Sequence, residues 1–178
     1  MKKILFVFVF AAAFQLGFSQ VEVKVNPIGL LFSNVDLGVE FAVTEHFGIE
    51  PRLIVDFDNV DFGGDKYKSS RFGTIVEGKY YFNPSKGINK FYVDVYGKFI
   101  TGKYGFEDEP DVNSTRLALG FGLGYKWVNS RNFVIELGFG MGRAFINEIS
   151  SEDESVDLDD FPVLNLDFVG KFMIGYRF

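Results

Sequence analysis

Residues 116–127 read RLALGFGLGYKW. In an extended chain successive side chains point to opposite faces. Leu117, Leu119, Phe121, Leu123, Tyr125 and Trp127 therefore share one face, and Ala118, Gly120, Gly122 and Gly124 share the other, bounded by Arg116 and Lys126. One face is bulky and apolar, the other nearly bare. Water would be a poor reason for a bare face, because glycine costs backbone entropy where Thr or Lys would hold a strand better. A crowded interior is a good reason: an eight-stranded barrel has barely room for its own side chains, so large ones on some strands require small ones on others. The stretch predicts a barrel strand with its apolar face turned outward.

The same alternation recurs along the chain. Val21, Val23 and Val25 alternate with Glu22, Lys24 and Asn26; Val35, Leu37, Val39, Phe41 and Val43 with Asn34, Asp36, Gly38, Glu40 and Ala42. Phe47, Ile49, Leu53, Val55 and Phe57 alternate with Gly48, Glu50, Arg52 and Asp56, and Pro51, which lacks a ladder donor, predicts a local bulge. Further segments centre on Val76, Val95, Leu137 and Phe168, the last running from Leu164 to Phe178. With the opening stretch this makes eight period-two segments and no helical period after residue 19. The expected fold is all-β: an eight-stranded antiparallel up-and-down transmembrane β-barrel spanning 20–178.

The chain opens MKKILFVFVFAAAFQLGFS, with Lys2 and Lys3 ahead of an apolar run and small residues Gly17 and Ser19 before Gln20. This reads as a secretory signal peptide over 1–19. Its removal takes two cations and shifts the formal charge from −6 to −8. An acidic chain with no basic run argues against nucleic acid as a partner. There is no cysteine, so disulfides play no part in stability. Charges or glycines interrupt every later apolar run, which leaves a barrel as the only way to cross a membrane.

Connections alternate in character. Thr44–His46, Asn83–Asn89 and Val128–Asn132 are short; Asp58–Ser70, Gly105–Asn113 and Asn147–Pro162 are longer and more polar. Tight turns at one end and long loops at the other are the habit of outer-membrane barrels. Tyr80, Phe82, Phe91, Tyr125, Trp127, Phe133, Tyr176 and Phe178 gather beside the short turns as an interfacial aromatic girdle. The terminal FMIGYRF resembles the assembly signal of bacterial outer-membrane barrels, although Gly170 and Met173 depart from its pattern. Outer-membrane lipid or lipopolysaccharide and the outer-membrane assembly machinery are the expected partners.

Residues 26–53, NPIGLLFSNVDLGVEFAVTEHFGIEPRL, resemble the opening of a family of small outer-membrane barrels of unknown function common in Bacteroidota, with an OmpA/OmpX-like eight-stranded architecture. Asn26, Pro27, Gly29, Gly38 and Glu40 carry the likeness, and FSQ at the cleavage point is similar to signal peptides of that group. The resemblance implies a fold and an outer-membrane location, and supplies no catalytic residues.

The inward set would be Glu40, Glu50, Arg52, Glu77, Lys79, Asp94, Lys98, Arg116, Lys126, Glu136, Asp167, Lys171 and Arg177. Both signs occur in similar numbers, which favours a neutralised ion-pair plug over a pore of one polarity. The single histidine, His46, falls in a short turn without triad partners, and no His or Cys spacing suggests a metal. No catalytic, cofactor or metal residue is expected. The acidic stretch 147–162 holds seven carboxylates and no cation; oxygen ligands there would suit calcium or magnesium, but a solvated loop explains it as well. The expected role is structural or cell-surface interaction, without catalysis and with no ligand named. A narrow channel, a lipid-modifying enzyme and a soluble lipocalin-like binder are the alternatives.

Overall fold

Alternating sequence becomes continuous sheet. The computed structural model describes residues 20–31, 33–62, 65–106, 112–150, 155–157 and 165–178. Seven strands follow in order: β1 (Val21–Val25), β2 (Asn34–Ala42), β3 (Phe47–Phe62), β4 (Asp65–Tyr81), β5 (Lys90–Phe106), β6 (Val112–Val128) and β7 (Phe133–Ser150). A three-residue β8 (Ser155–Asp157) and a long β9 (Leu166–Arg177) complete the order. Every pairing is antiparallel and each strand of the wall pairs with its sequence neighbour, while β7 pairs with β9 and β9 with β1. Seven strands and β9 thus form a closed, eight-stranded up-and-down barrel. β8 is a ninth strand outside the wall, paired among the described residues to the end of β7.

Three expectations are corrected. Asp58–Ser70 is not a loop: β3 and β4 continue as a hairpin, with Asp58 opposite Ser69 and Phe62 opposite Asp65. In the sequence the apolar residues change parity between Phe57 and Val60, which hid this arm, because backbone pairing needs no regular alternation. Likewise β5 runs to Phe106 and β7 to Ser150, so Gly105–Asn113 and Asn147–Pro162 are partly strand. Pro51 makes no bulge. The β3–β4 ladder is unbroken through it, and the β2–β3 register is the same on either side, Gly38 opposite Arg52 and Phe41 opposite Ile49. The bulge lies between Leu117 and Ala118, whose partners are Ile146 and Ala144; Phe145 is the extra residue.

A helical turn was also missed. α1 (Pro27–Leu31) joins β1 to β2, with the Asn26 side-chain oxygen accepting the N–H groups of Ile28 (3.0 Å) and Gly29 (3.1 Å). Asn at the cap and Pro at the first position are an ordinary start signal, but five residues are too few to show a 3.6 period. At the other end, Asn129 accepts from the N–H groups of Arg131 (2.8 Å) and Phe133 (2.9 Å), and Asn132 takes φ 62 to close the β6–β7 turn.

The wall exposes apolar side chains and the interior buries charged ones. Among the described residues, thirty-three large apolar side chains are exposed and eleven apolar residues are buried. Phe121 is 72% exposed, whereas Lys24, Glu40, Glu50, Lys79 and Glu136 are sealed inside. All eight aromatics beside the short turns are exposed, with Tyr125 against Trp127 (4.5 Å) and Tyr176 against Phe178 (5.1 Å).

Candidate functional site

The interior is the chemically dense part of the molecule. β1, β2, β3, β4, β6 and β7 each turn a charged residue inward near the short-turn end. Lys24 Nζ donates to Glu136 Oε2 (2.5 Å), Glu40 Oε2 (2.6 Å) and Glu50 Oε2 (2.8 Å). Lys79 Nζ donates to Glu136 Oε1 (2.5 Å) and Glu40 Oε2 (3.3 Å), and also bonds Glu50. Lys126 joins Glu40 (2.7 Å) to Glu22 (2.8 Å), and Arg177 Nε donates to Glu22 Oε1 (2.8 Å). Tyr81 donates to Glu40 Oε1 (2.5 Å) and Tyr92 to Glu136 Oε1 (2.6 Å).

A second tier lies above this one. Arg52 donates through Nε to Asp36 (3.0 Å) and through a terminal nitrogen to Glu77 (3.0 Å), while Lys171 bonds Glu77 (2.7 Å) and Asp94 (3.0 Å). Towards the long arms Asp167 gathers Lys98, the Arg116 guanidinium (3.3 Å) and the Tyr96 hydroxyl (2.9 Å), and Asp56 pairs with Arg71. Among the described residues nine carboxylates are buried, against seven buried cations plus the partly buried Arg71 and Arg116. The count balances, as a charged interior must if no bare charge is to stay out of water.

All thirteen residues of the expected inward set are in this plug, Arg116 at its partly exposed upper edge. Glu22, Lys24, Asp36 and Asp56 belong to it too. Their alternation placed them on the inward face, but nothing in the sequence said that their strands reach deep enough to join. Tyr81, Tyr92 and Tyr96 were also missed, and they explain the glycines. A Cβ at Gly120 would lie 2.5 Å from the Tyr96 ring, one at Gly122 2.5 Å from the Asp94 carboxylate, and one at Gly138 2.8 Å from the Tyr92 hydroxyl. The bare faces of β6 and β7 form the floor on which the large side chains of β5 lie.

The short-turn mouth is covered by the β4–β5 connection. Ile88 is buried against Ala42, Tyr81 and Tyr92, and the Ile88 carbonyl accepts from Arg177 at 2.8 Å. Glu40, Glu50 and Glu136 carry carboxylate oxygens within 4.8 Å of one another, which is metal-like spacing. The Lys24 and Lys79 ammonium groups bond these oxygens from between them, so the trio is spent on lysine and fits no divalent ion. Each carboxylate of the lower tier has a cation in hydrogen-bond reach, and Glu50 Oε1 is a buried oxygen without a hydrogen-bond partner.

His46 sits in the exposed β2–β3 turn, where its Nδ1–H donates to the Tyr81 carbonyl (3.0 Å) and its ring stacks on Tyr80. A main-chain carbonyl cannot orient and charge a catalytic imidazole as a carboxylate does. Of the acidic stretch 147–162, Asn147 is buried and Glu148 exposed, while Glu152, Asp153, Glu154, Asp159 and Asp160 lie outside the described residues.

A family model described as protein of unknown function (DUF3575) matches residues 4–155. No curated protein matches the chain.

Proposed function

Since the chain belongs to that family of unknown function, we propose on its geometry that it is an outer-membrane β-barrel of a Bacteroidota-type Gram-negative cell. Its role is structural or in cell-surface interaction, without catalysis. Export by a signal peptide over 1–19 and insertion by the outer-membrane assembly machinery complete the reading. One observation carries it: a closed wall exposes Leu, Val, Ile and Phe on every strand around a neutral charged interior. Water cannot drive burial in that direction, but lipid satisfies the outer face and the closed ladder leaves no unpaired strand edge within the wall.

The aromatic girdle supports a membrane–water boundary at the short-turn end. The paired plug and the covered mouth disfavour a channel, and the spent carboxylates disfavour an enzyme. The long β3–β4 arm and the β7–β8 arm, both at the opposite end, are the surfaces offered to a partner.

The test is electrophoresis in SDS of the detergent-extracted outer-membrane fraction, with and without boiling. A band in that fraction that moves on heating is expected. Recovery in the soluble periplasm with no heat shift would overturn the reading and favour a soluble binder.

A further inference from the structure

The outer wall is not uniform. Along β7 the outward residues run Phe139, Met141, Arg143 and Phe145, so an exposed guanidinium interrupts the apolar band. Among the described residues the Arg143 side chain has no hydrogen bond or ion pair. A groove of about 820 Å³ lies beside it on the outer face of β4–β7. Gly78 and Gly97 remove two outward side chains from its floor, and Val76, Val95, Leu119 and Phe121 wall it. Arg143 and Phe145 line the end on β7.

Register fixes the slope of this groove. Val76 pairs with Gly97, Gly97 with Leu119 and Leu119 with Arg143, so one row crosses four strands, about 14 Å at ~4.8 Å per strand. The strands are tilted, so the row climbs. Val76 lies six residues from the girdle residue Phe82 just past the end of β4, and Arg143 ten residues from Phe133 at the start of β7. At about 3.4 Å per residue and a tilt of ~40°, those are heights of roughly 16 Å and 26 Å above the girdle. An apolar band of a barrel is about 25 Å tall. The apolar end of the groove is therefore at acyl-chain depth, and its cationic end reaches the opposite headgroup level.

We propose that this groove is a binding site for one phosphorylated acyl lipid of the outer leaflet, of the lipid A class. One acyl chain lies over Gly97 and Gly78, and a headgroup phosphate pairs with Arg143. The assignment rests on the outer-membrane reading. An unpartnered cation on a lipid-facing wall is costly unless it reaches the interface or an anion, and a guanidinium offers phosphate two parallel donors.

Native mass spectrometry of the full-length processed protein in detergent, with bisphosphorylated lipid A or phosphatidylcholine as the added lipid, tests it. Wild type should retain one lipid A at concentrations where phosphatidylcholine is lost. Arg143→Gln should weaken lipid A binding at least tenfold, and Arg143→Lys should recover only part of that loss, because a point charge keeps the attraction without the fork. Gly97→Leu, which fills the floor where a Cβ has room beside Leu119 (3.4 Å), should weaken it comparably. Lipid A held no better than phosphatidylcholine, or held equally by wild type, Arg143→Gln and Gly97→Leu, would overturn the site. Heat shift in SDS is read on every sample. A heat-shifting barrel indifferent to lipid A refutes this site alone, whereas wild type without a heat shift refutes the outer-membrane reading.

Discussion

Replacing Lys79 by Met removes the ammonium that Glu136 Oε1, Glu40 and Glu50 share, while keeping the length of the side chain. The plug is then left with one uncompensated carboxylate, because Lys24, its nearest remaining cation, already serves three carboxylates. Breaking a buried pair from one side costs about 3–5 kcal/mol, since the orphaned charge keeps its desolvation penalty. That is about two to nearly four decades in the folding equilibrium. The measurement is a urea titration of the barrel refolded in micelles, followed by the fluorescence of its single tryptophan, Trp127, and by the heat-shifted band. Adding Glu136→Gln to the same chain should cost at least about 1 kcal/mol less than the sum of the two single changes, because the second change removes a charge that the first stranded. A loss below about 1 kcal/mol for Lys79→Met, the value of a surface pair, would refute the argument: water would then be screening the interior.

The glycine floor predicts that Gly122→Leu destabilises the barrel by about 1–3 kcal/mol through collision with Asp94, while Gly170→Ala, with nothing within 4 Å of its Cβ, changes unfolding negligibly; equal effects would contradict the packing. On the outer wall, Phe121→Arg should cost about 2–4 kcal/mol in vesicles if that position is near the bilayer midplane, and an unchanged denaturation midpoint would refute lipid contact there. Trp127, exposed at the short-turn rim, should be quenched by lipids brominated near the headgroup more than by lipids brominated at the chain end, and efficient quenching by aqueous iodide alone would remove it from the interface. Planar-bilayer recordings of wild type should show no steady open level, because the ion pairs and Ile88 fill the short-turn end; a stable conductance would refute the plug.

Faces were legible and neighbours were not. A residue's parity along an alternating segment says which side of the wall it occupies, so Lys79, Glu136 and Lys126 were readable as inward from three separate segments. That the first two meet is a fact of closure: Lys79 and Glu136 are 57 positions apart, and Lys24 and Glu136 are 112 apart. Alternation also fails where apolar residues change parity, as between Phe57 and Val60, which is why Asp58–Ser70 concealed a hairpin, and where an element is too short to repeat, which is why Asn26 and Pro27 did not betray α1. Arg143 stood in plain view between Met141 and Phe145, but its meaning depends on a height above the girdle that requires strand register.

RLALGFGLGYKW and its repeats were enough for strand number, for the all-β class and for the sense of the wall, because period two is a local property of the backbone and glycine opposite a bulky face is a local statement about crowding. Register, the position of the bulge at Leu117 and Ala118, the partners of each buried charge and the sloping groove beside Arg143 arose only when eight strands closed on one another. Closure is a global constraint: each strand's stagger is set by all the others around the ring, and no single segment contains that information.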